Sequence, residues 1–118
     1  MVRNAKELWS EIKRGLEVAS KLDGDNMQFF LNLKETVLEP GALDARTKQT
    51  ICVPIALAHN SEHFIAGRVR GALEAGVSRQ ELIQVAALSH LMAGSLVIGN
   101  SITLFLYSVN VFAPDYGK

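Results

Sequence analysis

Thiol is nearly absent from this sequence: Cys52 is the single cysteine in 118 residues. An intramolecular disulfide is excluded, and so is any chemistry that cycles two thiols within one chain. Net charge is missing too, with Lys plus Arg and Asp plus Glu at 12 each and no run of five like charges. Neither a phosphate-tracking basic face nor an acidic tail can be drawn from it, so nucleic acid is not an expected partner. The N-terminal stretch MVRNAKELWSEIKRG alternates charged and apolar residues where a secretory signal would carry a continuous hydrophobic core. With a lone thiol, this gives a cytoplasmic protein as the expectation.

Between Glu81 and Asp115 the chain carries no Asp, Glu, Lys or Arg at all, a length sufficient to cross a bilayer. A membrane span is nevertheless not the expected reading. Gln84, Ser89, His90, Ser95, Asn100, Ser101, Thr103, Ser108 and Asn110 recur through the stretch, Gly94 and Gly99 interrupt it, and no basic cluster flanks it. Polar residues at that density are costly in hydrocarbon. Burial by protein on several sides explains the composition better. One small core has limited room for two such helices, so part of this surface is expected to meet another subunit.

What is present is helix-forming pattern. The apolar content of 48% in 118 residues suits one domain, residues 1–118, with a single core. Residues 4–20 place Leu8, Ile12 and Leu16 at spacings of four beside Trp9, with charged residues on the other side. LDGDN at 22–26 is expected to break that helix, and a second runs from Met27 with Phe30, Leu31, Leu33 and Leu38 on its apolar side, ending at EPGAL. Asp44 caps a third helix, ARTKQTICVPIALAHN, in which Pro54 removes a backbone donor and should kink the chain near Cys52. A fourth helix starts at Asn60 or Ser61, carries Phe64, Ile65, Val69, Ala72 and Leu73 on one face, and ends at Gly76 as a left-handed cap. Ser78 and Glu81 have the spacing of a capping box for a fifth helix. The remainder reads as two helices, or as one broken near Gly94. No strand, linker or low-complexity tract emerges, and the expected fold is all-α with five to six helices.

The order LDARTKQTICVPIALAHNSEHFIAGRVRGALEAGVSRQELIQVAALSHLMAG resembles the core of the alkylhydroperoxidase D-like, or carboxymuconolactone decarboxylase, family over about residues 41–111. The most specific parts are LDARTKQ, ALAHN and ALEAGVSRQELIQV. The resemblance implies an all-α fold assembled as a homotrimer or homohexamer. Its redox members carry Cys-x-x-Cys at the start of the fourth helix, a histidine four residues beyond the second cysteine, and a glutamate on the preceding helix. Those positions fall here on Ser61, Phe64, Arg68 and Gln49, and only His63, between the two cysteine positions, is retained. Dithiol peroxide reduction needs one thiolate to attack, a second to resolve the sulfenic acid, and a proton relay. Serine is a far poorer nucleophile, phenylalanine has no redox chemistry, and arginine and glutamine do not accept protons as histidine and glutamate do.

Several residues are candidates for a replacement chemistry. His63 is the candidate acid or base, with Ser61 and Gln49 as hydrogen-bonding partners, while Arg68 is the anchor for a carboxylated or carbonyl-bearing ligand with Arg70, His59 and Phe64 nearby. His59 and His63 are four residues apart, but a helix start between them puts them on different elements, so a metal site completed by His90 is not expected. No cofactor is expected. Cys52, among Ile51, Val53 and Ile55, is expected as a small core residue. The leading functional expectation is a family protein without dithiol peroxidase chemistry that acts on or binds such a molecule. The alternatives are a catalytically silent ligand-binding or assembling subunit, and a residual peroxiredoxin-type activity using Cys52.

Overall fold

A computed structural model describes residues 4–118, so the first three residues of the N-terminal stretch lie outside the described residues. Among the described residues every element is helical. In chain order they are α1 (Ala5–Leu22), α2 (Gly24–Leu38), α3 (Ala45–Ala58), α4 (Glu62–Glu74), α5 (Arg79–Ala93), α6 (Ser95–Asn100), a π-helical turn (Ser101–Phe105), α7 (Leu106–Phe112) and a closing 3-10 turn (Ala113–Tyr116).

Local chemistry accounts for most of the boundaries. Asn4 caps α1 by accepting from the backbone of Lys6 and Glu7, and Asp44 caps α3 by accepting from Thr47 N at 2.7 Å. The capping box at α5 is complete: Ser78 Oγ accepts from Glu81 N at 3.1 Å while the Glu81 carboxylate accepts from Ser78 N at 3.0 Å. At the end of α4, Gly76 has φ of 100°, Val77 N donates to Ala72 O at 3.0 Å and Gly76 N to Leu73 O at 3.1 Å. That pair of bonds is a Schellman motif, which needs the left-handed backbone a glycine adopts without strain. α3 remains one helix through Pro54.

The second helix departs from expectation. It begins at Gly24, not Met27, and the break after α1 is the single residue Asp23, at φ −147° and ψ 66°. One residue outside the helical region suffices to redirect the chain. Asp25 then lies in the first turn of α2, where a carboxylate complements the helix N-terminus.

Packing centres on α4. It touches α1 on one side, α3 on another, and α7 with the π-helical turn on a third; Ile65, Ala66, Val69, Ala72 and Leu73 are buried in consequence. They meet Leu8 of α1, Val53 and Leu57 of α3, Leu82 of α5 and Leu104, Phe105, Val109 and Phe112 of the C-terminal helices. Burial of this set, at about 1.5–3 kcal/mol for each large side chain, is the main source of stability. Arg70, on the side of α4 opposite Arg68, lies 4.8 Å from the Trp9 ring centroid and 5.8 Å from that of Tyr116. It thereby ties α4 to α1 and to the C-terminus by cation–π contact.

The helix α2 is the exception, since none of its residues is buried. It leans on α1 and only lightly on α3, leaving Phe29 75% and Leu33 61% exposed. The radius of gyration, 14.4 Å, exceeds the roughly 13.5 Å typical of a closed domain of this length. The apolar C-terminal stretch splits its allegiance as well. Ser95–Tyr116 is apolar and long enough by composition to cross a membrane, yet 44% of its most apolar window is buried inside the domain.

Arg46 of α3 forms an ion pair with Glu81 of α5. That guanidinium first, and the Ser78 backbone second, hold the Glu81 carboxyl at about 2 instead of 4.5. A lowered carboxylate pKa adds stability that is fully present above the unfolded value and is lost as pH falls through the folded one. The thermal midpoint of the wild type should therefore fall between pH 4.5 and 2 more steeply than that of Glu81→Gln, with the two curves converging at the acid end. Parallel curves would show that Glu81 contributes no pH-linked stability.

Candidate functional site

The turn from α3 to α4 fixes one edge of the site. Asn60 adopts a left-handed φ of 52°, a conformation asparagine tolerates better than most residues. Its side-chain amide donates to Leu96 O at 2.8 Å and its oxygen accepts from Asn100 at 3.3 Å, which clamps the turn to α6. Ser61 then stands at the N-cap of α4 with no side-chain capping bond. Its hydroxyl is free of backbone duty.

Two clefts open beside this helix start and share Cys52, Phe64 and Arg68 as walls. The first, about 320 Å³, is completed by Phe30, Leu33, Lys34, Val37 and Leu38 of α2. The second, about 270 Å³, is completed by Ile55, Ala56, His59 and Ser61. A third and smaller cavity, about 80 Å³, lies toward α1, where Trp9, Lys34, His63, Phe64, Gly67 and Arg68 meet. Phe64 and Arg68, one turn apart on α4, line all three spaces.

Phe64 was expected on the buried face of α4. It is 44% exposed and forms a cleft wall instead, because α2 stands off from α3 and leaves that side of α4 uncovered. The same gap changes the reading of Cys52, which is half-buried and borders both larger clefts instead of lying in the core. Its neighbours Ile51 and Ile55 are 44% and 53% exposed, and only Val53 of that run joins the core.

Arg68 is the most telling side chain here. Its Nε is buried and has no hydrogen-bond partner among the described residues, and neither Glu62 nor Glu74 forms an ion pair with it there. A buried donor without a partner costs about 1–3 kcal/mol, more when charged. Arg70 does not help, because two residues along a helix is a rotation of about 200° and places it against Trp9.

The remaining expected residues are dispersed. His63 Nε2 is 3.0 Å from a carboxylate oxygen of Glu11 on α1, on the Trp9 side of the helix and away from Ser61. His59 is exposed at the far end of the second cleft. Gln49 lines none of the three spaces. Its Oε1 is buried without a partner and lies 2.9 Å from where a Cβ on Gly71 would sit, so a side chain at position 71 would displace the amide. His90 contacts Ser101 Oγ at 2.6 Å, but Ser101 is 2% exposed, which makes the pair a packed link between α5 and the π-helical turn. Among the described residues no three metal-ligating side chains converge.

Lys34 was not among the residues singled out from sequence. Its signal was there: in MQFFLNLKETVL it follows Phe30 by four and precedes Leu38 by four, which makes it a charge set in the apolar stripe of an amphipathic helix. The pKa of its amine is lowered, by desolvation first and by the Arg68 charge second, with Glu35 opposing.

The all-helical arrangement round a central α4 recurs in solved structures. A carboxymuconolactone decarboxylase family protein from Legionella pneumophila, in its apo form, superposes with a TM-score of 0.87 at 21% identity, covering 92% of this chain and 96% of that one. A second from Thermotoga maritima, for which an antioxidative role has been suggested, gives 0.78 at 20% identity over 92% and 93%. The model of the carboxymuconolactone decarboxylase family matches residues 24–101, and the chain belongs to that family. A curated relative, uncharacterized protein 4 in the cox locus of Paracoccus denitrificans, is 38% identical over 55 residues, which are 47% of this chain and 50% of that protein. The chain thus spans about half the length of the curated relative it matches.

Cys52 on a cleft wall should react with a thiol reagent in the folded protein, to completion but more slowly than in denaturant. Labelling that waits for unfolding would restore Cys52 to the core. Cys52→Ser should leave hydroperoxide consumption unchanged, and a loss of consumption would make this sulfur a working nucleophile.

Proposed function

We propose that this family member binds a small carboxylate with an apolar body in the clefts beside Phe64, anchored by Arg68, and that it works without dithiol chemistry. The observation that carries this reading is the buried, unpartnered Arg68 Nε set among apolar walls. The same guanidinium borders the cleft, and a carboxylate lodged there would take charge-assisted hydrogen bonds from its terminal nitrogens. The Ser61 hydroxyl and the His59 ring on the second cleft are available to a polar substituent at the other end of the ligand. Binding is preferred over turnover because the residues that would move protons are not gathered. His63 is held by Glu11 and Gln49 lies against Gly71, so neither shares a cleft with Ser61. An intramolecular dithiol cycle is not open to a chain with one cysteine.

A phenyl-substituted carboxylate such as 4-phenylbutanoate should bind the purified protein, and Arg68→Gln should weaken it by about tenfold to a hundredfold, the range of a lost charge-assisted hydrogen bond. Calorimetry or ligand-detected NMR reads both. Equal binding by wild type and variant would remove Arg68 from the site.

A second reading, that of an assembling subunit, rests on the apolar surface left outside the core. Leu91 is 78% exposed, Met92 83% and Leu96 74%, all on the adjoining ends of α5 and α6. Contiguous apolar surface of this kind marks an interface, and a second copy of the chain is its simplest occupant. Light scattering at low micromolar concentration should give the mass of three chains or more, and Leu91→Glu with Met92→Lys should reduce it. A stable wild-type monomer would overturn the homotrimer or homohexamer.

A further inference from the structure

Arg68 does not face the first cleft alone. Lys34, reaching in from α2, lines the same space between Phe30, Leu33 and Phe64, and the two cations meet again in the smaller cavity beneath Trp9. Neither has a hydrogen-bond or ion-pair partner among the described residues. Two like charges beside one apolar cleft oppose each other, and only one of them can relieve the conflict. A guanidinium keeps its proton under all ordinary conditions; a primary amine does not. Desolvation and the neighbouring Arg68 both favour the neutral amine of Lys34. Those are the two circumstances that turn a lysine into a nucleophile toward carbonyl carbon. Lys34 also stands at the open rim, exposed as a residue, where a ligand and water can reach it.

We propose that Lys34 is the amine of a carbonyl-reactive site, forming a reversible imine with an oxo acid whose apolar body lies on Phe30, Leu33 and Phe64 and whose carboxylate pairs with Arg68. The proposal rests on the carboxylate-anchor reading of Arg68 given above. The lone pair of the Lys34 nitrogen attacks the carbonyl carbon. A C–N bond forms as the carbonyl π pair moves to oxygen, which takes a proton from water while the nitrogen releases one. The resulting hydroxyl then leaves as water after taking a further proton from solvent, and the nitrogen lone pair closes the protonated imine. Amine, carbonyl and one proton thus give iminium and one water, with nothing oxidised or reduced. The carboxylate held at Arg68 offsets the positive charge on the new nitrogen.

The test uses the full chain, 4-phenyl-2-oxobutanoate and sodium cyanoborohydride, which reduces an imine to a stable amine, followed by intact-mass measurement and peptide mapping. One adduct is expected, on Lys34 among the six lysines of the chain. It should be absent in Lys34→Arg, lower by about tenfold or more in Arg68→Gln, and suppressed in the wild type by excess 4-phenylbutanoate, a control that needs no variant. Lys34→Arg should keep an unchanged helical circular dichroism signal. Adducts spread evenly over the lysines, or an adduct on Lys34 indifferent to 4-phenylbutanoate, would overturn the imine site. Wild-type binding of 4-phenylbutanoate without selective trapping would overturn it while leaving the Arg68 anchor standing. Failure of both binding and trapping would overturn the anchor as well.

Discussion

The burial of α4 against α1, α3 and the C-terminal helices is the constraint on which the rest of the structure depends. Ile65, Val69, Ala72 and Leu73 draw three other parts of the chain onto one helix, and small residues at Gly67 and Gly71 allow Trp9 and the Gln49 amide to approach it closely. Once three sides of α4 are committed to the core, its fourth side is left to Phe64 and Arg68. The clefts exist because that fourth side receives no full partner. α2 arrives near it but buries none of its own residues, so the apolar walls remain open and the guanidinium remains without an acceptor. Stability and site are therefore set by the same helix, with the division running along its axis.

Within the family, the start of the fourth helix is the place where the resemblance puts a dithiol. Here those positions carry Ser61 at the N-cap, Phe64 one turn in and Arg68 a further turn on. The cleft beside them carries a buried guanidinium nitrogen without a partner among the described residues, against largely apolar walls. Lys34 strengthens that character from the opposite wall, and its own protonation is influenced by Arg68.

The parts of the fold decided by local chemistry were legible in the sequence. Asp44, the Ser78–Glu81 box and Gly76 each satisfy orphan backbone groups within a few residues, so their spacing is enough to find them. The break at Gly94, at φ 61°, belongs to the same class. The parts decided by distant packing were not legible. Nothing in the local pattern of α2 says that it will lean on α1 without sinking into the core, and from that one fact follow the exposed Phe64, the half-buried Cys52 and the position of Lys34. Arg68 was found because a family resemblance pointed at its position. Lys34 lies outside residues 41–111, over which that resemblance runs, and its signal, a lysine interrupting an apolar stripe, is shared by many surface helices that merely extend a long side chain over hydrophobic neighbours.

The way α2 is attached carries one more consequence. The helix is fastened at its two ends, by the single-residue turn at Asp23 and by Lys48 Nζ, which donates to the carbonyls of Val37 and Glu39 at 2.8 and 2.6 Å. Between those points no residue is buried. Such a segment detaches at a free-energy cost well below that of global unfolding, so its amide protons should exchange ahead of those of α4. Anything lodged between Lys34 and Arg68 would supply the missing contacts and slow that exchange, so occupancy of the cleft and rigidity of its outer wall become one thermodynamic variable.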